Sequence, residues 1–81
     1  MTVRYDKAAD CMYLTFERLP GQRYIYVENR SGDILRLDKD SRRVVGVTIP
    51  FFSKRLRSDE SIDVPEVGMV PFTDLTAALS G

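Results

Sequence analysis

With 81 residues there is room for one domain and a small core, so stability is marginal unless something else buries apolar surface. Twelve Lys and Arg balance twelve Asp and Glu, and a formal net charge of zero argues against a general nucleic-acid binder, whose domains carry a basic excess. The lone Cys11 cannot close an intrachain disulfide, and the absence of histidine removes the commonest general base and zinc ligand.

Thr2 to Tyr5 predicts a first short strand with Val3 and Tyr5 on one face. Asp6 to Ala9 is turn-like, and Asp6 is placed to accept backbone N–H groups that follow it. From Cys11 to Phe16 the chain alternates, with Met12, Leu14 and Phe16 opposite Cys11, Tyr13 and Thr15. Glu17 to Gly21, with Pro20-Gly21, reads as a turn. A third strand is expected over Arg23 to Glu28, with Ile25 and Val27 on one face and Tyr24, Tyr26 and Glu28 on the other. Asn29 to Asp33 is a turn with Gly32 available for positive φ.

Ile34 to Asp38 predicts a fourth strand, with Leu35 and Leu37 toward the core. A polar connection over Lys39 to Arg43 leads to a fifth, Val44 to Ile49, rich in β-branched residues. Gly46 within it marks a bulge or a close backbone approach. Short polar turns between strands favour an antiparallel meander, since parallel neighbours need long crossovers. Beyond Pro50 the pattern changes. Phe51 to Arg57 mixes aromatic and basic residues, and Arg57 to Ser61 is a polar, exposed stretch. Ile62 to Val64 suits a brief strand, and Thr73 is placed to N-cap a short helix over Asp74 to Ser80. Leu75 and Leu79 share a face of that helix, which at two turns must dock to be stable.

The run Tyr5-Asp6-Lys7-Ala8-Ala9-Asp10-Cys11-Met12-Tyr13-Leu14 resembles the opening of domain-of-unknown-function family 2283, a group of small bacterial and archaeal proteins. Ile34 to Asp40 and Val44 to Ile49 are similar to two further blocks of that family, so the likeness spans roughly residues 3 to 50. The chain departs from the family at Ser41-Arg42, where glycine is usual, and at Thr48, where glutamate is usual. The resemblance implies no activity and no catalytic residues. It implies an antitoxin-like role, because some members lie beside small toxin-like proteins.

Candidate chemistry is thin. Asp6 and Asp10 are too few for an oxygen-ligated cation, and as turn caps they need no chemistry. Asp38-Lys39-Asp40 begins like a calcium loop, but Arg43 and Ile49 occupy the positions that need glycine and glutamate. Cys11 has no histidine to activate it and reads as a packed side chain. The strongest charge feature is basic: Lys54, Arg55 and Arg57 after Phe51-Phe52, with Arg42 and Arg43 as candidates to join them in contacting nucleic acid. Asp59 and Glu60 follow directly and favour a self-paired loop. Tyr24, Tyr26, Phe72, Leu75 and Leu79 are the candidate partner interface.

These readings converge on an α+β, mainly β fold: an antiparallel β-meander of about five strands over residues 1–50 with a short C-terminal helix. Residues 51–81 form an extension packed on the same domain or on a partner subunit. The expected function is a non-enzymatic protein-interaction module, antitoxin-like, with a small nucleic-acid-binding domain as the alternative. No cofactor is expected. A homodimer is, because oligomerisation is a common way for a small domain to bury more surface. The N-terminus has no apolar signal region, and Val44 to Phe52 is too short to span a bilayer, so a cytoplasmic protein without membrane attachment is expected.

Overall fold

In the computed structural model, residues 1–18 and 23–79 are described; the expected Pro20-Gly21 turn and the helix end at Ser80 lie outside them. The described residues form, in order, β1 (Thr2–Asp6), β2 (Cys11–Thr15), β3 (Tyr24–Glu28), β4 (Ile34–Asp38), β5 (Val44–Ile49), α1 (Phe52–Arg57), β6 (Ser61–Val64), β7 (Gly68–Pro71) and α2 (Phe72–Leu79). The class is as expected: mainly β and antiparallel, with a C-terminal helix.

The five-stranded sheet is not a simple meander. Its order is β1-β2-β5-β4-β3, a β1–β2 hairpin joined to a β3–β4–β5 meander through β2 and β5. Burial explains the order. Met12 and Leu14 of β2 are fully buried and are paired with Ile49 and Val47, the most apolar strand available. β3, with its two tyrosines and Glu28, goes to the edge. The register places Val3, Tyr5, Met12, Leu14, Val47, Ile49, Leu35 and Val27 on one face and Arg4, Tyr13, Thr15, Gly46, Arg36 and Tyr26 on the other.

Gly46 is both a bulge marker and a close approach. Arg36 opposes Gly46 while Leu37 opposes Val44, so Val45 is the extra residue of β5. The Arg36 guanidinium lies across Gly46 to reach the Leu14 carbonyl at 3.2 Å and the Thr15 hydroxyl at 3.1 Å, where a Cβ on residue 46 would collide with it.

Three expectations for the C-terminal third are corrected. The basic stretch after Phe51 is a helix, α1. β6 has an antiparallel partner, β7, where no strand was expected. The last helix begins at Phe72 rather than Asp74, so Thr73 lies in its first turn and is not its N-cap. Phe72 sets that start: its ring is buried, and its backbone N–H donates to the Glu60 carbonyl at 2.9 Å. The described part of the segment after residue 50 packs on the same chain, one of the two expected arrangements, and supplies part of the core. Phe52, Ile62, Val64, Phe72 and Leu75 pack with Met12, Leu14, Val47 and Ile49 of the same chain. Phe52 stacks on Phe72 with ring centroids 5.3 Å apart.

The cover is one-sided. α2 packs on β1, β7 and α1, over the β1–β2–β5 half of the apolar face. On the other half Val27 is exposed, and Ile25, Leu35 and Leu37 are only half-buried.

Candidate interaction surface

The two aspartates of the first turn cap different elements. Asp6 Oδ1 accepts the Ala9 N–H at 3.2 Å, the turn cap that the sequence implied. Asp10 does not cap the start of β2. It reaches α1: its Oδ1 accepts from the Ser53 N–H at 3.0 Å and from the Tyr5 hydroxyl at 2.6 Å, and its Oδ2 accepts from the Ser53 hydroxyl at 2.7 Å. α1 needs this help, because its N-cap Phe51 is in the left-handed region and offers no capping side chain. Hydrogen bonds from Tyr5 and then Ser53 hold the Asp10 carboxyl below its ordinary range, and the bond to Asp10, with burial, pushes the Tyr5 phenol up. Both carboxylates are occupied with structure. Cys11 is half-buried with its thiol 3.5 Å from the Ala9 carbonyl. Asp38 stays in its turn, kept below the ordinary range by the hydroxyl and N–H of Ser41. Among the described residues no three Cys, Asp or Glu side chains gather as metal ligands do.

The candidate basic patch does not assemble. Arg42 and Arg43 lie before β5 and Lys54, Arg55 and Arg57 after it, and six strand residues hold the two groups about 20 Å apart. Arg43 pairs with Glu17 at 2.7 Å. Arg55 is turned inward: it binds Asp33 at 2.5 Å and Glu60 at 3.0 Å and lies over the Phe72 ring. Burial opposes the Arg55 charge, and the bonds to Asp33 and Glu60 outweigh it. Lys54 and Arg57 remain exposed. The Asp33–Arg55–Glu60 network was not legible in the sequence, where Asp33 reads as a turn residue. Asp33 is 3% exposed and also accepts from the Asn29 amide, so it ties the β3–β4 turn to α1. A buried charge was foreseeable only from the neighbours that bury it.

The candidate interface residues divide three ways. Phe72 and Leu75 are buried in the chain's own core and present no interface. Leu79 is exposed at the end of α2. Tyr24 and Tyr26 are exposed on the opposite face of the sheet, edge to face with centroids 6.4 Å apart.

What the sequence did not indicate is a cleft between the open half of the sheet and the β6–β7 hairpin. Leu35, Val44, Val47, Ile62 and Met69 line its apolar part, Asn29, Asp33 and Asp63 its polar end, around a volume of about 390 Å³. Val44 and Pro65 also line a second hollow of about 440 Å³ beside Phe16, Val67 and Met1. Met1, Val67 and Met69 are each more than 60% exposed at its mouth. No helix among the described residues is long and apolar enough to cross a membrane.

A scan against protein-family models gave no match for this chain, and searches of curated proteins and of solved structures gave none either.

Proposed function

We propose that this chain is a small non-enzymatic interaction module of the cytoplasm whose working surface is the apolar cleft between the sheet and the β6–β7 hairpin. One observation carries the reading: the chain covers half of its sheet's apolar face and leaves the other half open beside exposed Val67 and Met69. Exposed apolar area is worth about 25 cal/mol per Å² when a partner covers it, so an open face of this kind favours protein contact. The likeness of residues 3 to 50 to family 2283, which the family-model scan does not support, suggests the partner class: a small toxin-like protein that the module neutralises, alongside a second copy of the chain. The nucleic-acid alternative has less behind it, because Arg55 is buried in ion pairs and Arg42 and Arg43 lie at the far end of β5 from the exposed Lys54 and Arg57.

The test is co-purification with the product of a neighbouring toxin-like gene, followed by titration. Met69→Asp should weaken that complex at least about tenfold, the effect of a charge in a desolvated apolar contact, with the melting temperature unchanged because Met69 is exposed. A purified chain that neither self-associates nor binds the neighbour's product sinks the proposal.

A further inference from the structure

β3 is a free edge of the five-stranded sheet. The other edge, β1, has α2 packed on it, but among the described residues no helix packs on β3. Its sequence, Tyr24-Ile25-Tyr26-Val27-Glu28, holds no lysine and no proline, and its five pairs with β4 run without a bulge. Its tyrosine and valine side chains are exposed on both faces at once, Tyr26 at 64% on one side and Val27 at 44% on the other.

The backbone fixes which groups are free. The Lys39 N–H donates to the Arg23 carbonyl and the Asn29 N–H to the Asp33 carbonyl, each at 2.9 Å. Hydrogen-bonded pairs alternate along an antiparallel ladder, so Arg23, Ile25, Val27 and Asn29 bond toward β4, while Tyr24, Tyr26 and Glu28 turn their N–H and C=O groups outward.

We infer that a second copy of this chain adds to β3 in antiparallel register about a twofold axis through Tyr26. The axis follows from the side chains. Centred on Tyr26, all five residues pair: Tyr26 opposes its own copy, Ile25 opposes Val27, and Tyr24 opposes Glu28. An axis at Ile25 or Val27 would leave two of the five without an opposing β3 residue, and one at Tyr24 or Glu28 would leave four, the latter also setting carboxylate against carboxylate. In the chosen register Ile25 and Val27 of the two copies extend the floor of the cleft beyond Leu35, and the tyrosines meet on the opposite face. Two five-residue strands with these side chains fall short of the roughly 800 Å² per partner of a standard interface, so the dimer belongs with the weak, reversible ones. The inference rests on the interaction-module reading and adds where the second copy joins; its surface is the strand edge, and Tyr26, on the opposite face, is not among the residues that line the cleft.

Two measurements on the full chain test it. In a Cys11→Ser background, Tyr26→Cys should oxidise to a disulfide-linked dimer at least about tenfold faster than Val27→Cys, because pairing brings only residue 26 to its own copy at high effective concentration. Val27→Cys should cross-link instead when mixed with Ile25→Cys. In sedimentation equilibrium, Tyr26→Lys and Tyr26→Glu should each be monomeric at concentrations where the parent dimerises, and their mixture should recover the dimer. Position 26 is exposed, so these variants keep the fold, which circular dichroism verifies. Equal cross-linking at 26 and 27, or a parent whose association the Tyr26 variants do not alter, overturns the β3 pairing while the cleft reading stands or falls on its own titration.

Discussion

Gly46 shows how one residue can hold a sheet together by having no side chain. Arg36 uses the empty position to cross from β4 to the Leu14 carbonyl on β2, two strands away. Gly46→Ala should therefore cost on the order of 1–3 kcal/mol by pushing the guanidinium off its bonds to the Leu14 carbonyl and the Thr15 hydroxyl. The same change in an Arg36→Ala background should cost less than half as much, which a double-mutant cycle by urea denaturation measures. The Tyr5–Asp10 bond predicts a two-sided pH window. The Asp10 carboxyl titrates below its ordinary 3.8 in the fold, so its contribution is complete above about pH 4 and fades as pH falls through the folded value. The Tyr5 phenol titrates above its ordinary 10.0, so its contribution is complete below about pH 10 and fades as pH rises. The stability difference between the parent and Tyr5→Phe should be flat between about pH 5 and 9 and shrink on both sides, read from denaturant midpoints.

At the scale of elements, α1 is the instructive case. Six residues do not make a stable helix alone, and this one starts at a left-handed Phe51 without a side-chain cap. It exists because three distant groups hold it: Asp10 at its start, Asp33 on Arg55, and the Phe72 ring under Phe52. Removing Asp33 leaves the largely buried Arg55 with only a partly exposed partner, Glu60. Asp33→Ala should cost about 3 kcal/mol, a large share of the roughly 4–12 kcal/mol such a domain has. Glu60→Gln should cost no more than about 1 kcal/mol, since that carboxylate is one-third exposed. Equal losses in thermal melts would show that Arg55 does not depend on the buried partner. Asp10 could be read from the sequence as a capping residue, but its client could not, because 43 residues separate it from Ser53.

Across the whole molecule, the segment after residue 50 is packed on the same chain and completes the core of the first fifty residues. Met12, Leu14 and Ile49 are fully buried only because Phe52, Ile62, Val64, Phe72 and Leu75 cover them. A chain ending at Pro50 should lack cooperative unfolding and amide-exchange protection in β2 and β5, because it bares the face those side chains fill. A sharp melting transition from that fragment would restore the two-part view. The open half of the same face is the counterpart: what the chain does not cover is where its contacts are proposed.

The sequence by itself determined the strands of the five-stranded sheet, though not β7. β4 and β5 fall on Ile34–Asp38 and Val44–Ile49 as their alternation and β-branching implied, and the other strands of the large sheet begin or end within a residue of expectation. It also marked Gly46 and the Asp6 turn, since both are local consequences of backbone geometry. Only the tertiary structure decided that β5 rather than β3 lies beside β2, that Phe51 to Arg57 coils, and that Phe72 and Leu75 face inward. Side-chain alternation says which face of a strand is apolar, but strand order and burial depend on which distant surface covers that face, and that pairing is a property of the assembled chain.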